Sequence, residues 1–245
     1  MCTVNTISNN KIKEIKKLHL KKYRDELNLF LAEGEKAVLE CIEAGLNIKE
    51  IYALNNYDGQ VKPVCYINEE TMKKICTTDS VCKILAVAEK RSYDLNKFKK
   101  LNKIALLDAI SDAGNLGTII RSAAAFGIEG IILYGDCTDV YSPKVVRSCA
   151  GNLFKIPVIE IREAIKELFP SHTIIATALS KDNNITPDEC SKLNKYIIML
   201  GSEAKGLRES LIKIADKNIR LNMEKSVESL NLAVSASVIF YELYK

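Results

Sequence analysis

The sequence of 245 residues predicts an α/β protein in which a parallel sheet with helices on both faces is preceded by a small α/β domain. Along the chain, apolar stretches that suit strands alternate with stretches of helical periodicity. In the second half these strands are bare of polar residues, which is typical of parallel strands covered on both faces. Residues 89–102 are polar and lysine-rich and favour a linker, so we expect domains at residues 1–95 and 96–245.

The first domain is predicted from short elements of both kinds. Its first helix has Ile12, Ile15 and Leu18 on one side and lysines elsewhere. Glycines at 34 and 45 open and close the second helix. The predicted elements are helix 8–23, strand 28–32, helix 35–44, strands 48–54 and 64–67, helix 68–76 and strand 83–88.

The second domain begins with a fully apolar strand and ends with a helix from Leu232 to Tyr244. That last helix is apolar nearly all round, so we expect it to be buried. The elements between are helix 116–126, strand 130–134, helix 142–150, strand 156–161, helix 162–168, strands 173–179 and 196–200, helix 207–215 and strand 219–223, after the opening strand 104–107.

The composition is that of an ordinary water-soluble protein, with 27% charged and 47% hydrophobic residues. No apolar run approaches the length that crosses a bilayer, and the first residues lack an apolar signal core. We therefore expect a cytoplasmic protein without a membrane partner. Eight cysteines are scattered singly, without a Cys-x-x-Cys pair or a histidine at ligand spacing, which predicts reduced, mostly buried thiols and no metal site.

The net charge of +4 is concentrated at the front of the chain. Residues 1–100 carry 18 Lys and Arg against 14 Asp and Glu, and the remainder is balanced. Many of these cations share the first helical region, which is an electrostatic footprint for a polyanion. A solvated helix face explains the same lysines equally well.

One loop beyond a predicted strand end, residues 108–117, leads into a helix that carries Arg121. Ligands of parallel sheets bind at such loops. The loop has neither the Gly-x-Gly-x-x-Gly nor the phosphate-loop pattern, so both nucleotide fingerprints are excluded. Asn115 could simply cap the helix. A cation such as Arg121 in the first turns opposes the helix dipole and needs an anionic partner, for which a phosphate is one candidate.

Three further segments carry polar residues at predicted loop or helix starts. Gly201 and Gly206 flank Glu203 between a strand and a helix, a pattern that is common in α/β proteins. Ser229-Leu230-Asn231 precedes the last helix and fits an ordinary N-cap. Residues 142–151 add the cations Lys144 and Arg147 on a short helix, which could equally be a capped surface helix.

The order of these segments resembles the SpoU (TrmH-like) RNA 2′-O-ribose methyltransferases of the SPOUT class. Residues 115–121, 200–207 and 229–231 are similar to the family's first, second and third motifs. Ala204 stands where glycine is commoner. The front domain, including Arg24 and residues 30–34, resembles the family's RNA-binding unit, which itself resembles a large-subunit ribosomal protein.

The resemblance implies a C-terminal trefoil knot, S-adenosylmethionine as cofactor, and a homodimer formed through the C-terminal domain. It gives Arg121 the role either of a base or of positioning the target phosphate, and we favour positioning because a guanidinium stays protonated in ordinary protein sites. Glu203 would fix Asn115 or the knot loop rather than take the proton. The residues implied in catalysis are Asn115, Arg121, Glu203, Ser229 and Asn231, and those implied in cofactor binding are Leu179, Gly201, Gly206, Leu221 and Leu230.

The implied target is the ribose 2′-hydroxyl, which separates RNA from DNA. The sulfonium methyl is already activated, so no metal is needed, and the two histidines, His19 and His172, lie outside the motifs. The front domain favours 23S ribosomal RNA over tRNA. The alternatives are a tRNA 2′-O-methyltransferase and a catalytically silent RNA-binding protein of the same fold. The residues expected to bind RNA are Lys16, Lys17, Lys21, Lys22, Arg24, Lys144 and Arg147.

Overall fold

The structure is a computed structural model that describes residues 7–62, 65–177, 184–221, 223–224, 226 and 229–245. The chain folds into two compact units. Unit 1 comprises the residues up to 92 together with 139–154, and unit 2 comprises 93–138 and 155–245. Within the described residues, every helix is too short or too polar to cross a bilayer. The α/β class predicted from the sequence is confirmed.

The described strands are β1 (Leu29–Glu33), β2 (Ile48–Leu54), β3 (Cys65–Ile67), β4 (Ile84–Glu89), β5 (Lys103–Asp108), β6 (Gly130–Tyr134), β7 (Val158–Ile161), β8 (Thr173–Ala176), β9 (Asn184–Ile185), β10 (Tyr196–Leu200) and β11 (Lys217–Ile219). The described helices are α1 (Asn9–Lys17), α2 (Lys21–Leu27), α3 (Glu35–Glu43), α4 (Glu69–Ile75), α5 (Leu95–Phe98), α6 (Ala113–Ala125), α7 (Pro143–Ser148), α8 (Ile165–Leu168), α9 (Pro187–Ser191), α10 (Glu209–Ile214) and α11 (Leu232–Tyr244).

Unit 1 is built on a mixed sheet with the strand order β1-β4-β2-β3. Strand β4 runs antiparallel to both β1 and β2, and β2 pairs in parallel with β3. Helices α1 and α4 cover one face, where Ile15 and Met72 join a buried apolar cluster. The single helix predicted at 8–23 is wrong, because Leu20 adopts an extended backbone and separates α1 from α2.

The segment 139–154, which carries α7, belongs to unit 1, although its neighbours in sequence are strands of unit 2. The Phe30 ring lies 5.0 Å from the ring of Tyr141 and 5.8 Å from that of Phe154. The Phe154 backbone N–H also donates to the buried Glu40 carboxylate at 2.8 Å. This segment therefore shares the hydrophobic core of unit 1, a grouping that a division at residue 95 did not anticipate.

Unit 2 is built on a seven-stranded sheet, in which every described pair is parallel, with the order β7-β6-β5-β10-β8-β11-β9. Strand β10 is buried along its whole length and β5 is buried after Lys103, as their apolar sequences predicted. One core cluster of unit 2 contains residues that are far apart in sequence, including Phe98 of α5 and Phe169. Part of the predicted linker at 89–102 forms helix α5. Asp94 caps this helix, and Phe98 is buried.

Two predictions for the end of the chain are corrected. The strand expected at 219–223 is β11 at Lys217–Ile219. Among the described residues of this segment, only these pair with β8 and β9, and Arg220 and Leu221 lie outside the sheet. Helix α11 is not buried all round. Its inner face is buried, but an outer face remains exposed at Val234, Val238, Tyr241 and Tyr244.

Candidate functional site

A cavity of about 480 Å³ opens at the carboxyl ends of β8, β10 and β11. Its walls come from the loop after β10, the segment after β11 and the beginning of α11. It contains four of the residues predicted for cofactor binding, namely Gly201, Gly206, Leu221 and Leu230, and the predicted catalytic residues Glu203, Ser229 and Asn231. The fifth predicted cofactor residue, Leu179, lies outside the described residues.

The loop after β10 closes tightly on itself. The Gly206 N–H donates to the Ser202 carbonyl at 2.8 Å. A Cβ atom on Gly201 would lie 2.0 Å from the Leu207 backbone nitrogen and 2.1 Å from the Gly206 carbonyl carbon. Gly206 itself has φ +64°, in the left-handed region that favours glycine. Both glycines are thus needed by the loop's own backbone, which shapes one wall of the cavity.

Three chain segments meet in a line of side-chain hydrogen bonds beside this cavity. The Asn115 Nδ2 group donates to the Glu203 carboxylate. The Asn115 Oδ1 atom accepts from Asn231 Nδ2 at 3.1 Å. The three motif segments recognised in the sequence are therefore joined through Asn115. We call Glu203, Asn115 and Asn231 the polar cluster.

Asn231 has two roles at once. Its Oδ1 atom accepts from the backbone N–H groups of Ala233 at 2.9 Å and Val234 at 3.3 Å, so it caps α11. Its Nδ2 group is left to donate to Asn115. One side chain thus caps the helix with its oxygen and belongs to the polar cluster through its nitrogen.

Asn115 does not cap α6. Asp112 is the N-cap, and its carboxylate accepts from the Asn115 backbone N–H at 2.8 Å. The Asn115 side chain is consequently available for the contacts with Glu203 and Asn231. The capping role that the sequence allowed for Asn115 is replaced by this bridging position.

Arg121 stands apart from the cluster. Its side chain is exposed on α6, and in the part of the chain that the structure describes it has no hydrogen bond or ion pair. No hydrogen bond joins it to Asn115, Ser229 or Asn231 among those residues. The structure therefore does not bring Arg121 into direct contact with the other residues predicted for catalysis, as far as the described residues of the single chain show.

Several residues that line the cavity were not predicted from the sequence, because they are not unusual loop residues. Thr177 lies just after β8, and its hydroxyl and N–H both bond to the Met199 carbonyl, at 2.8 and 3.1 Å. Ordinary apolar and polar side chains at the ends of elements supply the rest. These additional lining residues include Ser202, Ile219, Arg220, Met223, Ser235 and Ile239.

Neither histidine lies at the cavity. His172 is buried and its Nε2 atom is 2.7 Å from the Leu101 carbonyl oxygen. Burial lowers the pKa of His172, so the ring is neutral near pH 7. His19 Nε2 lies 2.9 Å from the Ile75 carbonyl oxygen in unit 1. Both rings thus contact backbone carbonyls within the fold, away from the cavity.

The basic surface predicted on unit 1 is only partly present. The four lysines of α1 and α2 that we expected to bind RNA are exposed, and so is Lys144 of α7. Arg24 is a correction: it is 3% exposed, and its Nε atom donates to the Asp139 carboxylate at 2.7 Å. Arg147 is half-buried and bonds to the Glu33 carboxylate and the Thr77 hydroxyl. These two arginines hold segment 139–154 within unit 1 rather than facing solvent.

Among the described residues, no three His, Cys, Asp or Glu side chains come together as a metal site.

The model of the SpoU rRNA Methylase family matches residues 102–241, which is more than half of the chain. The chain belongs to the SpoU rRNA methylase family. A second model, the MRM3-like substrate binding domain, matches residues 9–86 in unit 1.

Similar proteins extend over nearly the full length of this SpoU family member. The 23S rRNA (guanosine(2553)-2′-O)-methyltransferase RlmP of Bacillus subtilis (strain 168) is 31% identical, over 99% of this chain and 99% of that protein. The 23S rRNA (uridine(2479)-2′-O)-methyltransferase of Streptomyces viridochromogenes is 30% identical, over 87% of this chain and 81% of that protein. The crystal structure of an AdoMet bound rRNA methyltransferase from Sinorhizobium meliloti is similar with a TM-score of 0.85 at 29% identity, covering 98% of this chain and 96% of that one.

Proposed function

We propose that this SpoU family member transfers a methyl group from S-adenosylmethionine to a ribose 2′-hydroxyl of 23S ribosomal RNA. The observation that carries the proposal is the line of hydrogen bonds from Glu203 through Asn115 to Asn231 beside the cavity. Relatives that are named as 23S rRNA 2′-O-methyltransferases support the same substrate. Ribosomal RNA is thereby favoured over tRNA.

The cavity fits S-adenosylmethionine in size and chemistry. Its volume of about 480 Å³ lies within the range of ligand pockets, roughly 300–1,000 Å³. Leu221, Leu230 and Ile219 offer apolar contacts, and the backbone of the Gly201–Gly206 loop offers polar ones. When bound, the cofactor supplies a methyl group on a sulfonium centre. We assign Leu179 to the same pocket on the basis of its position after β8.

The polar cluster is suited to orienting a ribose. Glu203 accepts from Asn115, so we assign it to positioning rather than to proton removal. Asn115 is held between Glu203 and Asn231, and Ser229 offers a hydroxyl on the cavity wall. Holding the acceptor oxygen in line with an activated methyl group lowers the barrier to transfer, and the proton released from the 2′-hydroxyl would pass to solvent water.

Arg121 is assigned to the substrate phosphate. Its exposed guanidinium has no partner among the described residues, which leaves it able to bind an anion. A planar guanidinium pairs well with phosphate oxygens and remains charged. It would thus orient the RNA backbone and stabilise negative charge, rather than act as a base.

Unit 1 is assigned to RNA binding. Lys16, Lys17, Lys21 and Lys22 are exposed on α1 and α2, and Lys144 is exposed on α7. Lysines on one unit give affinity through phosphates, and this affinity falls as salt rises. Because α7 folds with unit 1, the proposed substrate-binding unit comprises residues 1–92 with 139–154 rather than 1–95 alone.

We also propose a homodimer formed through the outer face of α11. Val234, Val238, Tyr241 and Tyr244 are between 39% and 60% exposed, and Phe126 packs beside the two tyrosines. A contiguous apolar face of this kind is typical of a symmetric interface. Val238→Glu should shift the chain from dimer to monomer in light scattering, and a wild-type monomer would contradict the proposal.

The C-terminal segment is proposed to form the trefoil knot of SPOUT enzymes. Support comes from the insertion of β10 between β5 and β8, and from the contact of Asn231 with Asn115. A crystal structure that traces residues 219–232 tests the threading.

From the proposed substrate, ribosomal RNA, we also propose that the protein acts in the cytoplasm.

The function is tested by incubating the purified chain with radiolabelled S-adenosylmethionine and unmodified 23S RNA, tRNA or DNA. Label is expected in 23S RNA alone. Arg121→Ala should lose about 10²-fold or more of the transfer rate while retaining cofactor affinity. Arg162→Ala is the matched control, since Arg162 is 77% exposed in the same unit and should leave the rate unchanged. Cofactor binding without transfer to any RNA would favour the silent RNA-binding alternative.

A further inference from the structure

Asp108 is a buried carboxylate at the carboxyl end of β5 whose side chain bonds, among the described residues, to the distant residue Arg208. Its side chain is 3% exposed. The Arg208 backbone N–H donates to one Asp108 oxygen at 3.0 Å, and Arg208 Nε donates to the other at 2.7 Å. Arg208 Nη2 adds an ion pair to the same carboxylate. The carboxylate thus holds both the backbone and the side chain of Arg208.

Arg208 follows directly on the loop that contains Gly201, Glu203 and Gly206. Its guanidinium lies 4.9 Å from the centroid of the Tyr134 ring at the end of β6. Gly135 leaves room for it, since a Cβ there would come within 2.2 Å of Arg208 Nη2. The hydrogen bond that Arg208 donates to the Asp108 carboxylate raises the pKa of Arg208. The far end of the loop is therefore fixed to β5 and β6.

Asp108 also begins the loop that leads to Asn115. The next residue, Ala109, has φ +55°, and its N–H donates to the Tyr134 carbonyl at 2.9 Å. The chain therefore turns sharply at the residue after the carboxylate. One side chain stands at the start of the loop with Asn115 and at the end of the loop with Glu203.

We propose that Asp108 and Arg208 form a positioning pair, which sets the spacing between these two loops and so keeps Glu203 within hydrogen-bonding distance of Asn115. This inference rests on the proposed function. Neither residue is among those that line the cavity, so the pair acts through the loops rather than on the ligands. The Asp108 carboxylate is buried, whereas the Arg208 side chain is 41% exposed. A pair of this kind is a poor source of net stability, and fixing a geometry is a better account of its presence.

The test compares Asp108→Asn with Asp216→Asn. The amide keeps the shape of Asp108 but loses the charge, and it cannot serve as acceptor for both Arg208 donors through two oxygens. Asp216 is a matched control in the same unit, because its carboxylate accepts from the Ile174 N–H at 2.9 Å and pairs with Lys166 away from the cavity. Both substitutions replace a carboxylate that accepts from a backbone N–H and pairs with a cation.

For Asp108→Asn we expect the Kd for S-adenosylmethionine to rise about tenfold and kcat to fall about 10²-fold, since small misplacements have effects of that size. Asp216→Asn should lower the melting temperature without changing Kd or kcat. Arg208→Lys, which keeps the charge but not the planar fork, should retain more activity than Arg208→Gln. These variants also serve if Asp108→Asn fails to fold.

A folded Asp108→Asn variant with wild-type Kd and kcat would overturn the positioning role. Equal losses of kcat in Asp108→Asn and Asp216→Asn would overturn it as well, because they would indicate a general loss of stability. A wild-type chain that binds no S-adenosylmethionine would instead overturn the proposed function, so the two failures are distinguishable.

Discussion

Asn231 donates a hydrogen bond of 3.1 Å to Asn115, a residue 116 positions earlier in the chain. The same Asn231 side chain caps α11 through its oxygen. Helix formation at the end of the chain and assembly of the polar cluster therefore depend on the two ends of one amide. This division of roles can be separated by mutation.

Asn231→Asp should keep the cap and remove the bridge. A carboxylate still accepts from the N–H groups at the start of α11, but it cannot donate to Asn115 Oδ1. We expect stability near that of the wild type and a transfer rate lower by at least about tenfold, the scale of one lost hydrogen bond. Unfolding by denaturant and methyl transfer are measured on the same preparation.

Asn231→Ala removes both roles and serves as the comparison. It should lose the same activity and also about 1 kcal/mol of stability, the usual value of an N-cap. If Asn231→Asp transferred methyl groups at the wild-type rate, the bridge to Asn115 would have no part in activity.

Gly201→Ala should abolish cofactor binding. Its methyl group would lie 2.0 Å from the Leu207 nitrogen, so the loop after β10 could not close as observed. Gly45→Ala is the control, because Gly45 has φ +66°, an open environment and a position in unit 1. The control should lose about 1–2 kcal/mol of stability and keep its affinity for S-adenosylmethionine in calorimetry. Unchanged affinity in Gly201→Ala would mean that the loop does not shape the cofactor site.

Arg24→Ala should destabilise the protein without a specific effect on RNA. Removing the guanidinium leaves the buried Asp139 carboxylate unpaired, at a cost of about 3–5 kcal/mol. Lys22→Ala should do the opposite, leaving stability unchanged and reducing the salt dependence of RNA binding by about one ion. Denaturant unfolding and filter binding at several salt concentrations distinguish the two. A weaker, less salt-dependent RNA complex with unchanged stability in Arg24→Ala would restore Arg24 to the RNA surface.

Stability should fall as the pH drops below neutrality, in part through His172. Burial lowers the pKa of His172 below its usual 6.5, so the unfolded chain takes up the proton more readily than the folded one. The contribution is complete above pH 6.5 and is lost as the pH falls toward the lower folded value. The buried Nδ1 atom has no hydrogen-bond partner in the described structure, so a proton there would lack an acceptor.

The check is the difference in unfolding free energy between the wild type and His172→Gln as a function of pH. The glutamine side chain does not titrate, so the difference should be constant well above pH 6.5 and should change as the pH falls below it. A difference that is independent of pH would contradict the shifted pKa.

Much of the fold could be predicted because it depends on local pattern. The fully apolar stretches 130–134 and 196–200 became strands β6 and β10 with the predicted bounds, since burial on both faces requires such sequences. The strand expected at 219–223 failed for a physical reason. Leu221 and Met223 line the cavity instead of a sheet. Alternation of apolar and polar residues alone does not distinguish these two environments.

The sequence could not reveal contacts between distant residues. Arg24 lies among lysines, and its burial depends on Asp139, 115 residues away. Arg208 looked like an ordinary residue at a helix start, yet it pairs with Asp108 across 100 residues. For the same reason segment 139–154 could not be assigned to unit 1. Any truncation of unit 1 should remove this segment as well, because Phe30 and Glu40 would no longer cover it.

The central claim is tested most directly by mapping ribose 2′-O-methyl groups in the RNA of cells with and without this protein. We predict that one methyl group in 23S RNA disappears on deletion, returns with the wild-type chain and does not return with Asn115→Ala. Unchanged 23S RNA, or a loss confined to tRNA, would contradict the account.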